Sequence, residues 1–294
     1  VLPTRCALPL ASSALALALL AGCTAPASAP TPARDGLEPT TSVSAAVGQE
    51  NAAPAPPPTG AGLDYQLGGA YPPPDGVTVV VRDVTDSPAG AGYDVCYVNG
   101  FQTQPGESET WLRDHPSLVL RDDDGDPVAD PGWPDELLLD TSTDTARREI
   151  AQVVGAQVDA CADAGYDAVE PDNLDSFTRS DGALTQGDNL ALAALLIERA
   201  HARGLAIGQK NTVELGADGP ALGFDFVVAE DCAVHDECAD YAAAYGTRVL
   251  EIEYDDEPGF TDRLAAACTR GVSVVGRDRG LSTPDDPGYA FEPC

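Results

Sequence analysis

The chain has 294 residues, 48 acidic against 16 basic, for a formal net charge of −32. A field of that sign repels nucleic acid and anionic lipid, and it attracts cations and cationic polymers. Nucleic-acid partners are therefore not expected, and the same acidity also serves solubility.

Residues 1–22 read as an export signal. Arg5 supplies a positive n-region, and the Ala/Leu run Ala14 to Leu20 is of h-region length, too short to span a bilayer. Leu20-Ala21-Gly22-Cys23 resembles a bacterial lipobox, in which Cys23 becomes the lipidated first residue. An ordinary signal peptide with an incidental cysteine is the alternative. Residues 23–62 are mostly Ala, Pro, Ser, Thr and Gly and cannot bury enough apolar surface to offset their ordering entropy. They are expected to form a disordered tether, extended at Pro54–Pro58. The expectation is an exported protein held at the cell envelope by a lipid on Cys23.

Residues 63–294 are long enough for one large domain. Residues 1–62 hold only Arg5 and Arg34 against Asp35, Glu38 and Glu50, so the domain keeps 14 basic and 45 acidic residues. From Val77 on, short apolar runs alternate with longer segments. The predicted strands are Val77–Val81, Tyr93–Val98, Leu137–Leu139, Ala168–Pro171, Leu205–Ile207, Phe224–Ala229, Val249–Ile252 and Val272–Val275. Thr143–Ala164 has Ile150, Val153, Val154, Val158 and Cys161 on one helix face, with Thr143 or Asp144 to cap its start and Gly165 to end it. Asn189–Arg203 repeats that pattern, and Ala239–Tyr245 and Phe260–Arg270 read as shorter helices. Eight strands alternating with helices predict an α/β domain, a (β/α)8 TIM barrel. A doubly wound open sheet is the alternative, weakened because no glycine-rich phosphate loop follows the first strand.

Six cysteines lie in the domain: Cys96, Cys161, Cys232, Cys238, Cys268 and Cys294. An even number in an exported protein reads as three disulfides, with fifteen pairings open. Cys232–Cys238 would close a small loop and Cys268–Cys294 would tie down the C-terminus, leaving Cys96–Cys161. No CxxC pair occurs and the three histidines are scattered, so no zinc site or other cofactor is expected. Asp122-Asp123-Asp124-Gly125-Asp126 lacks the glycine and glutamate positions of a calcium loop and reads as a solvated turn.

Nearly every predicted strand ends in a polar residue, and in a barrel the C-terminal strand ends share one mouth. Val169-Glu170-Pro171-Asp172-Asn173-Leu174-Asp175 runs a buried strand into three carboxylates and an amide, and alternation sends Glu170 and Asp172 to one side. Val228-Ala229-Glu230-Asp231-Cys232 places Glu230 at another strand end, beside a cysteine able to lock its loop. Two carboxylates on facing strand ends are what glycosidic cleavage needs. No Ser/His/Asp constellation competes.

These segments, taken in order, resemble glycoside hydrolase family 114, the endo-α-1,4-polygalactosaminidase group. Asp64-Tyr65-Gln66-Leu67 is similar to its opening Trp-x-x-Gln-Leu, without the tryptophan, and Val81-Arg82-Asp83 to its first-strand aspartate. Cys96-Tyr97, Gly132-Trp133-Pro134-x-Glu136 with Leu139-Asp140, and the whole of Gly165–Asp175 resemble its next motifs. Gly204–Asn211, Glu230-x-Cys232 with Glu237-Cys238, and Glu253-Tyr254 follow in register. The resemblance implies a polysaccharide hydrolase acting on a cationic α-1,4-galactosamine polymer. It implies Asp172 as nucleophile and Glu230 as general acid/base, with Asp83, Asp140, Glu170, Asn173, Asp175, Lys210, Asn211 and Glu253 lining subsites. The sequence departs from the family pattern at the 99–104 loop, at Ala229 and at Thr212, all expected at the mouth. A catalytically inactive, glycan-binding envelope barrel is the alternative reading.

Overall fold

The computed structural model describes residues 54–294. The expected signal, Cys23 and the tether up to residue 53 lie outside the described residues. Eight strands run parallel in chain order: β1 (Gly62–Gln66), β2 (Val77–Asp83), β3 (Tyr93–Asn99), β4 (Ala168–Asp172), β5 (Ala206–Lys210), β6 (Phe226–Glu230), β7 (Val249–Tyr254) and β8 (Ser273–Arg277). Each pairs with the next, and a short β9 (Phe291–Pro293) adds antiparallel to β8. β8 returns to β1, where Arg277 closes the seam by donating to the Tyr65 carbonyl and to Asp64 at 2.9 Å. The fold is the expected barrel, and the open doubly wound sheet is excluded.

Strand alternation builds two cores. Leu63 and Tyr65, Val79 and Val81, Val95 and Tyr97, Phe226 and Val228, and Leu250, Ile252 and Tyr254 fill the lumen. The opposite faces, through Cys96, Val98, Val169, Ile207, Val227 and Ala229, pack beneath the helices. Because both faces of these strands are buried, they read as continuous apolar runs.

The helices are α1 (Ser108–Asp114), α2 (Asp144–Ala164), α3 (Gln186–Ala202), α4 (Asp218–Leu222), α5 (Cys232–His235), α6 (Cys238–Tyr245) and α7 (Phe260–Ala267). α2 starts where the Thr143 hydroxyl accepts from the Ala146 amide at 3.1 Å, and it ends at Gly165, whose φ of 92° suits a residue without a side chain. Its buried face, Ile150, Val154, Val158 and Cys161, follows the helical repeat. A disulfide to Cys96 staples that face to β3. α3 begins three residues earlier than Asn189, because Thr185 and Asp188 form a reciprocal capping box. Among the described residues no helix is long and apolar enough to cross a membrane. The other expected disulfides, Cys232–Cys238 and Cys268–Cys294, are both formed.

Three expectations are corrected. Leu137–Leu139 is not a barrel strand. It makes isolated antiparallel bridges to Gln102, Val119 and Ala129 inside an excursion between β3 and α2. Three apolar residues are too few to distinguish a strand from a packed bridge. The missing strand is β1, hidden in sequence because its outward residues are polar. Asp64 accepts from Gln66, Tyr71 and Arg277, and Gln66 accepts from Arg82, so a buried polar network replaces the covering helix there. The Asp83 strand is accordingly the second strand, not the first. The barrel's contacts also begin before residue 63: Pro57 is buried, and the Tyr93 hydroxyl donates to the Ala55 carbonyl at 2.7 Å.

Candidate active site

A cavity of about 710 Å³ opens at the C-terminal ends of the strands. Its floor is built around one ammonium. Lys210, at the end of β5, is buried, with Nζ 2.9 Å from Glu170 Oε1, 3.4 Å from Asp172 Oδ1 and 3.2 Å from Glu230 Oε2. It also donates to the Tyr65 hydroxyl at 2.8 Å. Burial works against its charge, yet Asp172, Glu170 and Glu230 together hold its pKa well above the ordinary lysine value.

Asp172 and Glu230 are each further held by a tyrosine from the neighbouring strand. Tyr97 on β3 donates to Asp172 Oδ2 at 2.6 Å, and the Asn173 amide donates to Oδ1 at 2.7 Å. Tyr254 on β7 donates to Glu230 Oε1, and Asn211 donates to Oε2 at 3.2 Å. Asn211 Oδ1 in turn accepts from the Glu230 amide at 2.9 Å, fixing the strand end. The nearest oxygens of the two carboxylates both lie within 3.4 Å of one nitrogen, so they stand no more than twice that distance apart. Burial raises the pKa of Tyr97 and Tyr254, as do the carboxylates beside them, Asp172 and Glu230 respectively, so both phenols remain donors.

The other predicted residues divide. Asn173 and Asp83 line the main cavity with Asp172, Lys210 and Glu230. Asp83 is bonded by Thr85 and by Gln104 of the altered 99–104 loop. Glu170 is fully buried below the floor, where Oε1 accepts from Tyr65 at 2.7 Å and from Lys210, while Oε2 has no partner. Burial raises its pKa and Lys210 opposes the rise. It supports the floor and cannot line a subsite. Asn211 and Asp175 line a second cavity of about 280 Å³ that shares Glu230 with the first.

Asp140 and Glu253 line neither cavity. Asp140 follows the run that is not a barrel strand, so its carboxylate merely accepts from the Ser142 amide at 3.0 Å. Glu253 has the wrong strand parity. It points to the helix layer, accepting from the Ala233 amide at 3.0 Å and from Arg263, while Tyr254 takes the lumen side. Ala229 also faces the helices, so that departure does not alter the mouth.

Residue-type reasoning passed over Tyr65, Tyr97 and Tyr254, and it passed over Glu136. Their signal was alternation: each tyrosine shares its strand's parity with the lumen. Glu136 lines the cavity from the excursion and donates nothing in its ionised form, accepting from Asn99 at 2.7 Å. Burial pushes its pKa up to about 7, with Asn99 opposing and Asp172 adding to the rise.

Among the described residues, one convergence of metal-type ligands occurs, at Cys232, Cys238, Glu251 and Glu253. The two sulfurs are bonded to each other, and the carboxylates are paired with Arg270 and Arg263. Asp122 forms a tight exposed turn, accepting from the Asp124 and Asp126 amides.

No curated protein matches the chain. Among solved structures, Ega3 from Aspergillus fumigatus, determined with galactosamine, superposes with a TM-score of 0.65 at 23% identity, covering 84% of this chain and 100% of that solved chain. The glycoside hydrolase domain of PelA from Pseudomonas aeruginosa superposes with a TM-score of 0.53 at 15% identity, over 76% of this chain and 96% of that one. These likenesses establish the barrel. The sequence also matches the model of one family over residues 44–293, and on that match the chain belongs to glycoside-hydrolase family GH114.

Proposed function

We propose that the protein cleaves α-1,4-linked galactosamine polymers by a retaining mechanism, with Asp172 as nucleophile and Glu230 as general acid/base. The observation that carries this is the convergence of both carboxylates on Lys210. Retaining glycosidases hold their carboxyl groups about 5–5.5 Å apart and inverting ones about 6.5–9.5 Å. Two oxygens 3.4 and 3.2 Å from one ammonium nitrogen stand at most about 6.6 Å apart, a bound that admits the retaining spacing and excludes most of the inverting range.

Asp172 is pinned by a backbone amide, which suits an atom that must meet the anomeric carbon along one line. Its oxygen forms the bond to that carbon as the glycosidic bond breaks, and Glu230 gives its proton to the departing oxygen. Glu230 then takes a proton from water, whose oxygen displaces Asp172 and releases the sugar. Lys210 keeps one positive charge between the two groups throughout, and Tyr97 and Tyr254 hold their rotamers.

The choice of substrate is supported by the galactosamine bound in the Ega3 structure and by the acidity of the mouth, where Asp83, Asp135 and Glu136 face a polymer of free amines. Export and anchoring through Cys23 are part of the same proposal. They are supported by the lipobox-like Leu20–Cys23 and by three disulfides, which persist in oxidising compartments.

The test is reducing-end release from polygalactosamine, with chitosan and neutral galactans as controls. Cleavage that vanishes in Asp172→Asn and Glu230→Gln supports the assignment, and azide should restore turnover to Glu230→Ala as a glycosyl azide. Binding without turnover by folded native protein would replace it with a glycan-binding role. Radiolabelled lipid that fails to enter a Cys23→Ala chain, while entering the parent, tests the anchor.

A further inference from the structure

Trp133 is 60% exposed, the one large hydrophobic side chain left so open among the described residues. It stands on the wall of the main cavity, in the loop that the Ala129–Leu137 bridge closes within the excursion between β3 and α2. A single exposed hydrophobic residue is ordinary in itself; what sets this indole apart is its place on the cavity wall beside Asp135 and Glu136.

The turn that carries it is rigid. Buried Asp130 accepts from the Gly132 amide at 2.8 Å and from the Trp133 amide at 3.2 Å, and the Trp133 carbonyl accepts from the Glu136 amide at 2.9 Å. Asp130 is itself held by Gln102 at 2.7 Å and by Arg179. Arg179 then donates to Asn173 Oδ1 at 2.9 Å, one residue beyond Asp172. The backbone that bears the indole is therefore tied, through Asp130 and Arg179, to the strand end that carries the proposed nucleophile. A turn already fixed in this way costs little further backbone entropy when a ligand arrives.

We propose that Trp133 is the stacking platform of a sugar subsite, and that it takes the apolar face of a galacto-configured hexosamine. The inference rests on the proposed glycan substrate and adds the residue that reads the sugar's epimer. In a galacto ring the axial O4 leaves the C3, C4 and C5 hydrogens on the opposite face as one apolar patch, which matches a flat indole. In a gluco ring the equatorial O4 breaks the edge of that patch. Asp135 and Glu136 follow in the same wall, where the C2 ammonium of the stacked unit meets carboxylates.

The chain carries its own probe. It has two tryptophans, and Trp111 is buried at 4% exposure, so fluorescence accessible to acrylamide comes from Trp133. Asp172→Asn protein, which binds without turnover, is titrated with α-1,4-galactosamine oligomers. Shielding of the quenchable emission is expected, and chitosan oligomers of equal length should shield it far less. In the otherwise native enzyme, Trp133→Ala should raise KM roughly ten-fold with kcat little changed, because stacking is lost equally from substrate and transition state. Trp133→Tyr should recover most of that loss, and neither change should move the melting temperature.

An unchanged KM in Trp133→Ala, or oligomer binding by calorimetry without shielding, overturns the platform while leaving the hydrolase assignment intact. Equal shielding by chitosan oligomers overturns the epimer reading. If native protein neither binds nor cleaves galactosamine oligomers, the substrate assignment falls and this inference falls with it.

Discussion

Replacing Lys210 with Met leaves the barrel floor with three carboxylates and no cation. The side chain is nearly isosteric, so the change removes charge rather than volume. Asp172 and Glu230 reach the cavity and are partly screened by water, but Glu170 is fully buried and keeps only the Tyr65 hydroxyl as a donor. Removing one partner of a buried pair costs about 3–5 kcal/mol, because it strands the other charge. Glu170 already has a raised pKa through burial, and losing Lys210 raises it further. Its folded state then binds a proton that the unfolded state gives up, so the variant's stability falls as pH rises above the unfolded glutamate value. The deficit should be full at pH 8 and shrink as pH drops toward 5. In the native protein the Lys210 pKa is itself raised, so its contribution is complete at neutral pH and is lost only in strong alkali. Urea unfolding of both proteins at pH 5, 6.5 and 8 reads this directly. A deficit under about 1 kcal/mol, or one independent of pH, refutes the idea that Lys210 neutralises the buried floor.

Other outcomes follow from the same geometry. Tyr97→Phe and Tyr254→Phe each delete one hydroxyl held against one of the two carboxylates proposed to be catalytic, and each should lower kcat roughly ten-fold without unfolding the barrel; a double variant no worse than either single one would show that they act as a unit. Glu136 has a folded pKa of about 7, above its unfolded value, so its ionisation in the fold costs stability as pH rises from the ordinary glutamate range to 7. Glu136→Gln should remove that slope and gain about 3 kcal/mol at pH 8 but little at pH 4, as measured by chemical denaturation. Cys96→Ala with Cys161→Ala opens a cross-link spanning 65 residues and should cost about 4 kcal/mol in calorimetry; a loss below 1 kcal/mol would mean that α2 docks on β3 without it.

Sequence alone carried the fold class, the α2 span closed by Gly165 and the presence of three disulfides, and it offered Thr143 or Asp144 as the cap and Asp172 and Glu230 as candidate carboxylates. Each rests on a short-range rule: helical period, cap chemistry, cysteine parity, or a carboxylate placed where an apolar run stops. What sequence could not determine was which face of a doubly buried strand meets the lumen, since hydropathy is the same on both sides. That ambiguity put Glu253 in the mouth in place of Tyr254, and Ala229 among the altered mouth residues. It also left β1 unread, because Asp64 and Gln66 look solvent-facing until Arg82 and Arg277 arrive from 16 and 213 residues away. Asp140 failed for a related reason, since a three-residue apolar run carries too little information to separate barrel strand from bridge. Only the closed barrel brings Lys210 beneath three carboxylates from β4 and β6, and only the excursion between β3 and α2 raises Trp133 and Glu136 over them. Contacts at that sequence distance are set by closure of the sheet, and no local pattern encodes them.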